Sequence, residues 1–216
     1  MHIVAIDGPA GSGKSSVSRA AAKLLGFGYL DTGAAYRALT WANQKGLLDC
    51  SKLDANQIAA KFDYSISTNP DNFWVKVGED LVTDEIRGPE VGLEVSKIAQ
   101  LPEVRKFMHQ LTHRLVASAG QPGVIVEGRD ITTVVFPEAK TRILLTASEE
   151  VRLARREAEL PSGVSIAKQV SDRDKTDSKV VDFLAPAAGV SLIDSTNLNF
   201  DDTVAAVVEL VKKDMG

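Results

Sequence analysis

The stretch HIVAIDGPAGSGKSSVSRAAAKLL, residues 2–25, decides the fold. Its first half is an apolar, strand-like run and its last half a helix-like one, and the glycine-rich GPAGSGKSS at 8–16 joins them. Such a loop has little side chain to bury and a high backbone entropy cost of ordering. A bound ligand is what would offset that cost. Gly8, Gly13, Lys14 and Ser15 fit G-x-x-x-x-G-K-[ST], in the context of strand, loop and helix that the motif requires. The glycines allow successive backbone N–H groups to turn around phosphate oxygens, with the helix N-terminus behind them. Lys14 then reaches the β- and γ-phosphates of a nucleoside triphosphate, and Ser15 is placed to ligate Mg2+. The expected nucleotide-phosphate-binding segment is Gly8, Pro9, Ala10, Gly11, Ser12, Gly13, Lys14, Ser15 and Ser16.

Outward from this loop the chain alternates. Strand-like runs occur at HIVAID (2–7), GVIVEG (123–128), RILLTA (142–147) and VSLIDS (190–195). Most are uninterrupted apolar segments, as in sheets covered on both faces. Helix-like stretches lie at 14–25, 34–45, 90–100, 103–119, 148–159 and 201–213. In the fifth, Ser148 is placed to cap, with Glu149 and Glu150 in the favoured first turn. The expectation is an α/β three-layer fold with a mainly parallel central sheet. Residues 64–82 break the pattern by alternating apolar and polar around Asn69-Pro70-Asp71-Asn72 and again near Gly78. They predict a small antiparallel hairpin or three-stranded insert. The polar stretch 160–181, with Pro161 and Gly163, predicts a helical lid.

The 216 residues, 44% hydrophobic, fit one domain or one core with an elaborated insert. A formal charge of −4 argues against duplex nucleic acid or an anionic membrane as the main partner. An anionic ligand must therefore meet a local cationic cluster. Cys50 is the single cysteine, and no apolar stretch approaches the length of a membrane span. A cytoplasmic, monomeric protein is expected, since neither an export signal nor a heptad pattern is evident. His109 and His113 are four apart but lack the H-E-x-x-H context, so no metal pair is expected there.

A triphosphate site alone does not separate a kinase from a switch GTPase. No N-K-x-D or D-x-x-G sequence occurs, which weighs against the switch. Arg37, Arg105, Arg129, Arg152, Arg155, Arg156 and Arg173 fall at or near the ends of expected elements. Phosphoryl transfer uses such fork-shaped donors, because its transition state spreads negative charge over equatorial oxygens. Taken singly, each is also readable as a solvated surface charge.

In order along the chain stand AIDGPAGSGKSS, LDTGAAYRALT, EIRGPEV, VEGRDITTVVFPEAKTRILLTAS, RLARR, RDKTDS and LIDSTNL. Together they resemble bacterial cytidylate kinase over nearly the whole chain, and the insert at 64–82 resembles an element those kinases carry. The resemblance implies that the segment 8–16 binds ATP and that its γ-phosphoryl group is transferred, with Mg2+, to CMP or dCMP. It also implies a core (about 1–31, 121–158 and 186–216), a monophosphate-binding region (about 32–120) and a lid (about 159–185). Thr32, Arg37 and Arg129 match positions that grip the acceptor phosphate, and Ser96, Arg105 and Asp130 positions around the cytosine. A carboxylate can accept from the exocyclic amino group of cytosine, whereas uracil presents a carbonyl at that edge. Asp130 is alternatively an ion-pair partner that orients Arg129. Arg173 and Asp177 match ribose-holding positions, or form an ordinary surface pair. Lys14, Arg129, Arg152 and Arg155 are the expected catalytic set, Arg152 and Arg155 sharing one helix face.

The chain departs from the family's pattern at two places that bear on chemistry. Val180, preceded by Lys179, stands where a second lid arginine is usual, so either Lys179 substitutes or the contact is lost; weaker acceptor binding is expected, to be restored by Val180→Arg. Thr132 stands in GRDITT where glycine is common, which narrows the backbone choices of that loop.

Overall fold

A computed structural model describes residues 1–159 and 185–216. The expected lid, with Arg173, Asp177, Lys179 and Val180, therefore lies outside the described residues apart from its ends. In chain order the elements are β1 (His2–Asp7), α1 (Lys14–Leu25), β2 (Gly28–Asp31), α2 (Thr32–Gln44) and α3 (Ala55–Lys61). Then come β3 (Tyr64–Ile66), β4 (Val75–Val77), β5 (Asp80–Leu81), α4 (Pro89–Ala99) and α5 (Pro102–Ala117). The chain continues through β6 (Gly123–Gly128), β7 (Thr141–Thr146), α6 (Glu149–Glu159), β8 (Ser191–Asp194) and α7 (Phe200–Met215).

Two compact units result, Met1–Tyr29 with Gln121–Gly216, and Leu30–Gly120. The first is built on a five-stranded sheet of order β2-β6-β1-β7-β8. β1 runs parallel to both β6 and β7, and β7 parallel to β8. Val4, Ala5 and Ile6 of β1 and Val124, Ile125 and Val126 of β6 are fully buried, which is why these strands carry apolar residues at consecutive rather than alternate positions. α1 turns Val17, Ser18, Ala21 and Ala22 inward at helical spacing and stops at Gly26, whose left-handed conformation lets its N–H close the last turn. α7 starts on Asn199, whose side chain accepts from the Asp202 N–H, and packs a valine face on α1, β7 and β8. The parallel order around β1 brings the loops that follow β1, β6 and β7 to the same edge of the sheet.

The second unit is mainly helical. Asp31 caps α2 by accepting from the Ala34 N–H, and Asp54 and Gln57 form a reciprocal capping box on α3. α4 and α5 each begin with proline at the first helical position, where a missing N–H costs nothing. α2, α4 and α5 pack on one another around Ala38, Leu39, Val95 and Phe107. The insert is a three-stranded antiparallel sheet, β3-β4-β5, with Tyr64 opposite Val77 and Val77 opposite Asp80.

Candidate active site

In the first unit the glycine-rich loop leaves the carboxyl end of β1. Gly8 packs so closely on β7 that a β-carbon there would lie 2.2 Å from the Leu145 carbonyl oxygen. Gly11 has φ +75° and would meet the Arg152 carbonyl oxygen at 2.4 Å, so it is forced to glycine twice over. Gly13, at φ 83°, opens α1 with no side-chain cap, and no acidic residue stands in the first turn. Among the described residues no side chain caps this end of α1, where the leading N–H groups and the positive dipole end favour an anion.

Two arginines of α6 grip the outside of this loop. Arg152 donates to the Ala10 carbonyl at 2.9 Å, and Arg155 donates to the Ser12 carbonyl at 3.3 Å. Arg155 also donates to the Ser195 hydroxyl and carbonyl, both at 3.0 Å, which ties the loop to the end of β8. In a trans peptide the C=O and N–H point in opposite directions, and no cis bond occurs among the described residues. Pinning the Ala10 and Ser12 carbonyls to α6 therefore turns the Gly11 and Gly13 N–H groups to the loop's other side. Lys14 folds over the loop, donating to the Pro9 carbonyl at 3.3 Å. Ser12 is 1% exposed, whereas in the first turn of α1 Ser15 is half-buried and Ser16 exposed.

After β6 the chain passes Arg129 and Asp130 and enters a single π-helical turn, Ile131–Val135. Its cause is Asp7, at the end of β1 and opposite Gly128 in the sheet. The Asp7 carboxylate accepts from the Ile131 N–H at 2.9 Å, the Thr132 N–H at 2.8 Å and the Thr132 hydroxyl at 2.6 Å. Burial pushes the Asp7 carboxyl above the usual carboxylate range, the three hydrogen bonds oppose that, and the negative field of Asp130 adds to it. Asp130 itself is buried. Arg142 of β7 reaches the same turn, donating to the Thr132 carbonyl at 3.4 Å, and also donates to the Ala188 carbonyl at 3.2 Å. One unit thus holds the glycine-rich loop, Lys14, Arg129, Asp130, Arg152 and Arg155.

The second unit carries Thr32, Arg37, Ser96 and Arg105 on α2, α4 and α5, three helices that pack together. Thr32 is buried at the start of α2, and Arg37 lies one turn on, donating to the Ile86 carbonyl at 3.2 Å. A β-carbon on Gly92 of α4 would lie 4.0 Å from that guanidinium, an ordinary packing distance. Arg87 stacks over the Phe73 ring, 6.0 Å from its centroid, and stands 3.8 Å from the Asp31 carboxylate that caps α2. The 3-10 turn Glu85–Arg87, which follows the insert, thereby holds both the cap and the arginine of α2. Ser96 and Arg105 are half-buried.

Asp7, Arg87 and Ser195 are the structural participants that motif reading missed. Asp7 was visible as the residue before Gly8, but its partner lies 125 positions away. Among the described residues no cluster of three histidine, cysteine or acidic side chains could hold a metal, and no helix is long and apolar enough to cross a membrane.

The cytidylate kinase family model matches residues 4–213. The chain belongs to the cytidylate kinase family. The cytidylate kinase of Cutibacterium acnes is 42% identical over 215 residues, which cover 97% of this chain and 95% of that protein. That of Streptomyces avermitilis is 41% identical over 217 residues, covering 98% of this chain and 93% of that one. An uncharacterized protein from Eubacterium ventriosum shares the fold alone, with a TM-score of 0.53 at 9% identity over 98% of this chain and 99% of that one. The chain is a kinase of nucleotide metabolism, with the parallel sheet and antiparallel insert expected of it.

Proposed function

We propose that this kinase transfers the γ-phosphoryl group of ATP to CMP or dCMP through the residues that the sequence motifs single out. Family membership supports the reaction. The observation that carries the residue assignment is the uncapped, carboxylate-free N-terminus of α1 behind a loop whose Ala10 and Ser12 carbonyls are tied outward to Arg152 and Arg155. Phosphate oxygens supply the missing acceptors for the N–H groups on the other side. Lys14 exchanges its Pro9 carbonyl for the β- and γ-phosphates. Arg152 and Arg155 hold the loop and present their remaining N–H groups to the transferring phosphoryl, where charge develops.

A Mg2+ ion fits the donor set: one serine hydroxyl, Ser15, on the first turn of α1, and no acidic cage among the described residues. Mg2+ keeps most of its waters and takes its other ligands from nucleotide phosphates. When bound, it would neutralise negative charge on the nucleotide phosphates, with the Ser15 hydroxyl as its protein ligand. Thr32, Arg37 and Arg129 hold the acceptor phosphate, Ser96, Arg105 and Asp130 read the cytosine, and Arg173 and Asp177 hold the ribose. The chain works as one kinase domain of core, monophosphate-binding region and lid, closing to keep water from the phosphoryl group. It acts as a cytoplasmic monomer on free nucleotides rather than on nucleic acid, in keeping with its net charge of −4.

Coupled ADP release with ATP and Mg2+ against CMP, dCMP, UMP, AMP and shikimate, with a no-acceptor control, tests this reading. Turnover confined to the cytidine nucleotides is expected. Equal turnover of UMP would remove the role given to Asp130, and ATP binding without acceptor-dependent turnover would overturn the assignment as a whole.

A further inference from the structure

Thr132 is one of the places where this chain departs from its family's pattern, and the structure gives its hydroxyl a partner. The Asp7 carboxylate at the head of β1 is 3% exposed and accepts three hydrogen bonds, two of them from Thr132. Burying a carboxylate is costly unless its oxygens are paired. The two backbone donors occupy one bond on each oxygen, and the Thr132 hydroxyl supplies the third, charge-assisted bond on Oδ2.

The tie reaches directly to the residues before it. The peptide joining Asp130 to Ile131 is fixed on both sides: its N–H donates to Asp7, and its carbonyl accepts from the Val134 and Val135 N–H groups at 2.9 and 3.1 Å. Fixing that plane fixes the backbone of Asp130, φ −139° and ψ 19°, and hence the direction in which Asp130 leaves the turn. Arg129 is the next residue back.

We propose that Thr132 is a positioning residue for the acceptor side of the reaction, its hydroxyl locking the Asp7 carboxylate to the turn that aims Arg129 and Asp130. This rests on the reading that those two residues contact the acceptor nucleotide. The lock is strongest with Asp7 ionised, because a protonated carboxyl would set its O–H among two obligate N–H donors and turn the Thr132 hydroxyl from donor to acceptor. Burial and the neighbouring Asp130 raise the Asp7 carboxyl, so loss of one donor raises it further. The other charged groups on the elements packed around Asp7 have contacts elsewhere. Arg142 of β7 meets the Thr132 carbonyl, Glu127 of β6 accepts from the Tyr29 hydroxyl at 2.6 Å, and Lys14 of α1 donates to the Pro9 carbonyl.

Thr132→Val retains the side chain's shape and both backbone donors and removes the hydroxyl, while Thr132→Ser retains the hydroxyl. KM for CMP and for ATP would be measured separately from pH 5 to 8, alongside the Asp7 titration followed by carboxyl-carbon NMR. For Thr132→Val the expected result is a roughly tenfold rise in KM for CMP with KM for ATP within about twofold. The acid limb and the Asp7 titration should both move up by about one pH unit, and Thr132→Ser should restore all of these. The proposal is overturned if the Asp7 titration moves while KM for CMP does not, if both KM values rise together, or if Thr132→Ser behaves like Thr132→Val. Asp130→Asn and Arg129→Ala in the same assay separate the two readings. If neither raises KM for CMP, the acceptor assignment of the turn has failed, and the NMR shift alone then reports the Asp7 tie.

Discussion

Gly8→Ala should damage both the sheet and the nucleotide site, and the structure sets the size of the effect. The added methyl would sit 2.2 Å from the Leu145 carbonyl oxygen, about 0.8 Å inside the 3.0 Å that real β-carbons respect. The obstacle is backbone of β7, paired to β1 as far as Asp7 opposite Leu144, and cannot rotate away like a side chain. Relief requires the end of β1 and its loop to move by nearly 1 Å, loosening the last ladder bonds. Overpacking and one weakened hydrogen bond together cost about 3 kcal/mol. For a chain of this size that is a fall in Tm of about 6–12 °C. Displacing the loop also misplaces the N–H groups proposed to bind phosphate, so KM for ATP should rise at least tenfold. Gly26→Ala is the matched control: φ is +66° but nothing lies within 4 Å. It should cost only the left-handed penalty, about 1–2 kcal/mol, and leave KM for ATP unchanged. Circular-dichroism melting and coupled kinetics on the two variants decide the matter. If Gly8→Ala melts within 2 °C of the parent (about 0.5–1 kcal/mol) with unchanged KM for ATP, the close-approach argument is wrong.

Other outcomes follow from named contacts. Both Arg152→Ala and Arg155→Ala should raise KM for ATP, since each bonds a carbonyl of the loop, but Arg155→Ala should lower Tm more, because Arg155 also anchors Ser195. An equal fall in Tm in both variants, or a fall in neither, would show that the loop and the end of β8 are not separately held. Cys50 is buried, and its thiol is pushed up to about 11, so an aromatic disulfide reagent at pH 8 should leave the native protein unmodified and react at once in urea. Asp7 has a folded-state pKa raised above its ordinary 3.8, so its contribution to stability is fully present below 3.8 and lost as pH rises through the folded value. Urea unfolding between pH 3.5 and 7 should show the stability gap between the parent and Asp7→Asn moving against the parent with rising pH; a gap independent of pH would contradict the raised value.

What the sequence makes legible is what is encoded locally. The runs at 2–7 and 123–128 match β1 and β6, because strands buried on both faces announce themselves by composition. The glycine-rich loop is equally plain, since its conformation demands glycine at fixed offsets. α3 carried a readable signal, Asp54 and Gln57 at capping-box spacing, in a seven-residue helix too short for a periodic pattern. β2 has four residues, one of them Gly28, and owes its strand conformation to pairing beside β6 rather than to its own propensity.

ITTVV at 131–135 illustrates the remaining gap. All five of its residues are β-branched, a composition that favours extended chain, yet the segment forms a π turn. The reversal comes from a carboxylate at position 7, brought opposite Gly128 by parallel pairing of β1 with β6. Local propensity loses because leaving that buried charge without donors would cost more than bending five residues away from their preferred conformation. The same comparison explains why Thr132 can stand where a more permissive residue is usual. Thr132 keeps a negative φ, so its side chain imposes no left-handed strain, and its hydroxyl adds a third donor to the Asp7 carboxylate.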